Sequence, residues 1–139
     1  MTAPADPLHD LLEELRQRAE ALKFDAFGIA STDGLGSAGA RLLEFIELKR
    51  YGNMEWMVKT VKRRSDPRQL MPSARRVIMV GMSYAPDQDP LEALGRRLNG
   101  AISVYAKSRD YHEVLKGRLK ELAGLLARRA NADVKVFVD

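Results

Sequence analysis

The segment Val77–Met82, with the sequence VIMVGM, restricts the possible folds of this chain more than any other feature. A strand that is covered on both faces carries an uninterrupted apolar run of this kind, whereas a strand with one face in water alternates apolar and polar residues. The segment therefore predicts a central strand. A central strand needs neighbouring strands in its sheet and other elements packed against it.

Three further segments have the composition of strands. They are Ala26–Ala30, Ala101–Tyr105 and Val134–Val138. Helical patterns alternate with them, because apolar residues recur three or four positions apart in the intervening segments. Helices are predicted after the pair Asp6-Pro7, over about 38–50, from Met54, and over about 111–126. This alternation predicts an α/β layered domain with a small central mixed sheet flanked by helices.

Length and composition limit the class of protein. The chain has 139 residues, 45% of them hydrophobic and 30% charged, which fits a single ordinary domain over residues 1–139. It contains no cysteine, so this chain supplies no disulfide, thiolate zinc site or cysteine ligand for an iron–sulfur cluster. No apolar run approaches the ~20 residues of a membrane span and the N-terminus lacks a leader pattern. We therefore expect a cytoplasmic protein.

Basic residues are concentrated in one part of the sequence. The formal net charge is +4, and seven basic side chains lie within the segment 59–76, at Lys59, Lys62, Arg63, Arg64, Arg68, Arg75 and Arg76. Such a cluster is compatible with an anionic partner such as RNA. A solvated helix face would have the same composition, so both interpretations stay open.

Aromatic, acidic and imidazole side chains crowd together at the predicted start of the longest helix. Asp110 followed by Glu113 has the spacing of a capping box, and helix capping alone would explain the aspartate. Capping does not explain Tyr105, Tyr111 and His112 beside it. Because α/β proteins place ligands at strand-to-helix junctions, these rings are candidates for a binding site.

Five segments in order resemble the N-terminal part of tRNA epoxyqueuosine reductase. The resemblance runs from about Phe24 to the last residue, and Tyr-Ala followed closely by Asp-Tyr-His is its most specific element. The segments are YGNMEWM, RRSDP, VIMVGMSYAPD, GAISVYAKSRDYHEVLKGRLKELAGLL and VKVFVD. In that family the last aspartate is followed by a Thr-Ala-Pro stretch, the rest of a corrinoid pocket and a region with two 4Fe–4S clusters. The resemblance implies a truncated N-terminal domain, inactive in isolation.

The resemblance also implies a reaction and its catalytic groups. Family members use cobalamin to convert epoxyqueuosine to queuosine in the anticodon of tRNA, and the hard chemistry belongs to the cofactor. Asp139 matches the aspartate that donates a proton to the opening epoxide. Tyr84 matches a tyrosine of the same pocket and is a candidate for assisting proton delivery.

Other residues match the cofactor-binding part of the family pattern. Arg63 and Arg64 align with a segment that reaches the cofactor or tRNA phosphates. The remaining candidates would lie beside the corrinoid or contact its amide fringe: Ser103, Tyr105, Asp110 and His112. Two other functions compete with this one. They are a non-enzymatic basic RNA-binding module and a structural fragment that self-associates through a sheet edge at Val134–Val138.

Overall fold

The structure is a computed structural model that describes residues 7–138. Within this range, residues up to Phe27 and from Val80 onward form one compact unit, and Gly28–Met79 form a second. Short 3₁₀ turns lie at Thr32–Leu35, Pro67–Gln69, Pro90–Gly95 and Val104–Ala106. The helices and strands are α1 (Pro7–Ala21), β1 (Ala26–Ser31), α2 (Ala38–Glu47), α3 (Glu55–Lys59), α4 (Val61–Ser65), β2 (Arg76–Gly81) and α5 (Tyr111–Ala130).

Strands β1 and β2 pair in an antiparallel sheet. At one end the Asp25 N–H donates to the Gly81 carbonyl at 2.8 Å. Beyond it the Ser83 N–H donates to the Asp25 carboxylate at 2.7 Å, so the pairing continues through a side chain. At the other end Thr32 is only 3% exposed, and its hydroxyl donates to the Ala74 carbonyl at 3.2 Å. The buried hydroxyl is thereby satisfied, as a buried polar group requires.

The first unit is built on the packing of α1 against α5. Helix α1 ends in a Schellman motif, in which the Phe24 N–H donates to the Ala19 carbonyl at 3.0 Å and Lys23 has a φ of 64°. This left-handed turn brings Phe24 back into the apolar interior. The buried apolar residues within the described chain are Leu15, Ala19, Phe24 and Leu122.

The second unit contains α2 packed against α4. A Cβ atom added at Gly39 would lie 3.3 Å from the Ser65 carbonyl oxygen, so glycine permits the close approach of these two helices. Arg68 connects the loop segments of this unit. Its guanidinium lies 2.9 Å from an Asp33 carboxylate oxygen and 3.0 Å from an Asp66 carboxylate oxygen.

The α/β class is confirmed, and so are the helices predicted at 7–22, 38–50, 54–57 and 111–126 and the strands predicted at 26–30 and 77–82. Asp6, which precedes the predicted first helix and would cap it, lies outside the described residues. Helix α2 ends at Glu47 rather than near Arg50, because Lys49 and Gly52 adopt positive φ angles of 52° and 58° in the turns that follow. No helix within residues 7–138 has the length and apolar content needed to cross a membrane.

Two predicted strands are wrong. Within Ala101–Tyr105 the chain forms the start of a 3₁₀ turn, and Val134–Val138 carries no strand pairing. The described sheet consequently has two strands, and the side chain of Met79 on β2 is 65% exposed rather than covered. Apolar composition indicates a tendency to burial but does not supply the hydrogen-bonding partner that a strand requires. The sheet edge expected at Val134–Val138 is therefore not formed.

Candidate functional site

Helix α5 begins with a side-chain cap. One carboxylate oxygen of Asp110 accepts a hydrogen bond from the His112 backbone N–H at 2.9 Å. The same oxygen lies 2.9 Å from Nδ1 of the His112 ring. Asp110 therefore caps the helix, as its sequence position predicts, and also fixes the orientation of the imidazole. Because a carboxylate oxygen can only accept, Nδ1 of His112 is the donor in this contact.

Three rings lie together above this cap and are called here the ring cluster, namely Tyr105, Tyr111 and His112. The Tyr111 and His112 rings are stacked, with centroids 4.1 Å apart and an interplanar angle of 26°. The Tyr105 ring meets Tyr111 edge-on at 6.2 Å and 85°. Tyr105 is 55% exposed and the His112 side chain 53% exposed, so the cluster offers ring faces and polar atoms to a ligand.

The ring cluster differs from the prediction in its setting. A 3₁₀ turn at Val104–Ala106 and bends precede α5, and no strand leads into it. Tyr111 was predicted as one of the three rings at this junction, but it was not among the residues matched to the cofactor-binding part of the family pattern. The structure makes it the ring that joins Tyr105 to His112. Its position at the first residue of α5, directly after a capping aspartate, was the signal that could have identified it.

The charge of Asp110 is stabilised locally. The hydrogen bond from the His112 side chain, followed by the bond from its backbone N–H, lowers the pKa of the Asp110 carboxyl below its ordinary value. A carboxyl with a depressed pKa in the folded state adds stability above its unfolded pKa and loses it as the pH falls through the folded value. The cap is therefore at full strength at neutral pH.

Replacing Asp110 by alanine should fray the first turn of α5, with a fall in the thermal midpoint of roughly 3 to 8 °C. Asp110→Asn keeps a capping acceptor, so its thermal midpoint should fall by less. The difference between the wild-type chain and the asparagine variant should shrink once the pH falls below the ordinary aspartate pKa of about 4, because the stability added by the depressed pKa of Asp110 is lost as the pH falls through the folded value. Thermal unfolding followed by circular dichroism from pH 3 to 7 measures this. A difference that is constant over that range would contradict the charged cap.

The other predicted site residues of the first unit do not belong to the ring cluster. Ser103 precedes the 3₁₀ turn, is exposed, and makes no capping hydrogen bond to it. Tyr84 follows β2 and is 69% exposed. Within residues 7–138, the ring contacts of the cluster do not include Tyr84. Asp139 lies outside the described residues, so its role stays a prediction from the sequence.

Within the predicted basic cluster, Arg68 forms ion pairs with acids, whereas Arg63 and Arg64 lie on an exposed helix. Arg68 is held between Asp33 and Asp66, and its side-chain hydrogen bond lowers the pKa of the Asp66 carboxyl and raises that of its own guanidinium. Arg63 and Arg64 both belong to α4 of the second unit and are exposed. Arg64 lies over the Trp56 ring, with its guanidinium carbon 4.5 Å from the ring centroid.

Residues 7–138 contain no group of three or more His, Asp or Glu side chains placed to hold a metal ion. A surface cavity of about 290 Å³ lies in the second unit beside Leu43 and Val61, and one of about 440 Å³ lies between α1 and α5 beside Gln17 and Leu125. Neither is lined by the ring cluster, which is an open surface.

Comparison with known families places the ring cluster in a recognised segment. A family model described as "Epoxyqueuosine reductase QueG, DUF1730" matches residues 64–139, more than half of the chain. The chain belongs to this family. The resemblance inferred from five sequence segments is thus confirmed, and the chain corresponds to the N-terminal region of an epoxyqueuosine reductase.

Curated epoxyqueuosine reductases show how much of the family the chain represents. The protein of Escherichia coli (strain K12) is 33% identical over 141 residues, which cover 100% of this chain and 37% of the relative. That of Yersinia pestis is 36% identical over 88% of this chain and 29% of the relative. That of Leadbetterella byssophila is 32% identical over 95% of this chain and 42% of the relative. The chain thus spans well under half the length of these epoxyqueuosine reductases. No solved structure gave a significant match.

Proposed function

We propose that this chain forms the cobalamin-facing N-terminal domain of a cytoplasmic reductase that converts epoxyqueuosine to queuosine in the tRNA anticodon. The observation that carries the proposal is the ring cluster at the start of α5, inside the segment that the family model matches. Turnover is proposed only for a protein that also contains the remainder present in the longer relatives. The chain by itself is proposed to be inactive.

The donors at the ring cluster suit the periphery of a corrinoid. Tyrosine and serine hydroxyls, an imidazole and a carboxylate match the amide groups around that ring, and the half-exposed faces of Tyr105 and His112 provide apolar contact area. When bound, cobalamin supplies a reduced cobalt centre as the electron source. Tyr105, Asp110 and His112 would hold and orient it, with Ser103 as a further contact. The assignment of Arg63 and Arg64 to the cofactor or to tRNA phosphates rests on the family pattern.

The iron–sulfur clusters proposed for the whole enzyme do not fit this chain. A 4Fe–4S cluster is held by cysteine thiolates, and the sequence has none. Their ligands would therefore come from residues beyond those of this chain. The contribution of this domain is consequently confined to binding, orientation and proton supply.

Proton supply is assigned to Asp139, with Tyr84 as an auxiliary group. Opening an epoxide places negative charge on its oxygen, and a carboxylic acid held within hydrogen-bonding distance can donate a proton to it as the charge develops. The exposure of Tyr84, 69%, leaves its hydroxyl accessible to a ligand. Both assignments rest on the match of these residues to the family pattern.

Titration of the chain with cobalamin tests the proposal. Good small-molecule sites bury ~70 to 90% of a drug-sized ligand, whereas the ring cluster is an open surface. We expect weak binding by residues 1–139, detected by absorbance or calorimetry, which His112→Ala abolishes. Tight stoichiometric binding by this chain would show that the remainder is not needed. Weak binding that His112→Ala leaves unchanged would move the cofactor away from the ring cluster.

A non-enzymatic RNA-binding module is the second candidate. It is favoured by four exposed basic side chains on or beside α3 and α4, namely Lys59, Lys62, Arg63 and Arg64. Phosphate binding by such groups releases counterions, so the affinity would fall steeply with salt. This candidate and the first differ in one respect: a pure RNA module would show no response to cobalamin at the ring cluster.

A further inference from the structure

Trp56 is the single tryptophan of the chain, and it is held at the surface rather than in the interior. It belongs to the short helix α3, and 48% of it is exposed. A tryptophan can bury more apolar area than most residues, so a half-exposed one leaves a large apolar surface in water. The guanidinium of Arg64 on α4 lies over this ring.

Thr60 and Arg64 fix the surroundings of the ring. The Thr60 hydroxyl donates to the Trp56 carbonyl oxygen at 2.7 Å and accepts a hydrogen bond from Nε of Arg64 at 3.0 Å. These bonds hold the guanidinium over the indole, with its central carbon 4.5 Å from the ring centroid. Nε of Arg64 donates to Thr60. The terminal guanidinium N–H groups of Arg64 have no hydrogen-bond partner among residues 7–138. They can donate to an oxygen of a ligand.

The charge of the segment around this arrangement is mostly positive. Within 55–65, EWMVKTVKRRS, four basic residues accompany one acid, Glu55. Arg68, by contrast, is neutralised by Asp33 and Asp66. An exposed indole with an ordered guanidinium, in a segment rich in lysine and arginine, combines an aromatic stacking surface with phosphate-binding cations. Proteins that bind single-stranded nucleic acid use this combination.

We propose that Trp56 and Arg64 form a platform on which an unpaired base of single-stranded RNA stacks, while Lys59, Lys62 and the free guanidinium N–H groups contact the neighbouring phosphates. The proposal rests on the proposed function in one respect, since tRNA is the RNA partner named there. It adds a separate binding surface in the second unit, which recognises an extruded base. Thr60 is a positioning residue, because it acts by holding Arg64 over the ring.

The fluorescence of Trp56 provides a direct test, because no other tryptophan contributes to the emission. The probe is a single-stranded oligouridylate of about eight nucleotides, within the usual range of site sizes. A ribose-phosphate oligomer with the same number of phosphates and no bases serves as the control. Base stacking should quench Trp56 at saturation. It should also make the oligouridylate bind about 5- to 100-fold more tightly than the abasic oligomer. The abasic oligomer should bind without quenching.

Variants separate stacking from charge. Trp56→Leu, followed by anisotropy of a labelled oligomer, should abolish the preference for bases and retain abasic binding. Arg64→Lys keeps the charge, and Thr60→Val keeps the shape. Each variant should reduce both the quenching of Trp56 and the preference for the oligouridylate several-fold. Arg41→Lys, on α2 of the same unit, is the matched control and should change neither. Circular dichroism of each variant confirms that the helices are retained, and Thr60→Val keeps the test valid if Trp56→Leu unfolds.

Three outcomes would overturn the platform. Equal binding of both oligomers, or binding of oligouridylate with unchanged emission, would limit the surface to phosphate contacts and leave the proposed reductase function intact. A response to phosphatidylserine vesicles with none to RNA would identify a lipid surface instead. Failure of the chain to bind any RNA would count against both the platform and the tRNA partner. Cobalamin binding at the ring cluster is measured separately, and it distinguishes failure of the platform from failure of the proposed reductase function.

Discussion

Asp139→Asn should lower the rate of epoxide reduction by ~10²-fold or more while leaving bound cobalamin in place. The substitution keeps the shape of the side chain and removes the transferable proton. The measurement needs a protein that contains the whole length of the family relatives, assayed under saturating reductant on tRNA carrying epoxyqueuosine. Cobalamin content is read from the absorbance of the same sample, so that cofactor loss and lost catalysis are separated.

His112→Ala is the informative contrast in the same protein. His112 stacks on Tyr111 and bonds to Asp110, so its loss should disturb cofactor placement and reduce cobalamin content. A variant that loses activity in proportion to cofactor content identifies a binding residue. One that keeps its cofactor and loses activity identifies a proton donor. Near-normal turnover by Asp139→Asn would refute the assignment, and Tyr84→Phe would then be the next variant to examine.

The helices were predictable because their signals are local. The 3.6-residue repeat of apolar positions, a proline at the first turn of α1 and a capping aspartate before α5 all lie within the elements they define. The end of α2 was less predictable. Lys49 and Lys23 both adopt left-handed conformations that glycine usually occupies, so composition gave no warning of these turns.

The strands were predictable only in part because pairing is not local. β1 and β2 have each other as partners, whereas Ala101–Tyr105 and Val134–Val138 have similar composition and no partner in the described chain. The same distinction applies to function. The ring cluster lies within eight consecutive residues and was visible in the sequence. The placement of Arg64 over Trp56 depends on the bend between two short helices, and the sequence analysis missed it.

The second large effect is expected from the small core of the first unit. Leu122 on α5 is only 4% exposed, in the region where α5 packs against α1. Leu122→Ala should destabilise the chain by about 2 to 5 kcal/mol, through lost transfer free energy and the cavity left behind. A chain of this size would lose roughly 10 °C in its thermal midpoint. Urea unfolding followed by circular dichroism gives the free energy of unfolding directly.

Leu98→Ala is the matched control, because Leu98 is 101% exposed and the chemical change is the same. It should alter the free energy of unfolding by no more than about 0.5 kcal/mol. A large loss at Leu122 with a negligible one at Leu98 would confirm that α1 and α5 carry the stability of this unit. Equal effects would mean that the solution fold differs from the packing described. Since α5 also begins at the ring cluster, loss of its packing would loosen the residues at its first turn that are proposed to face the cofactor.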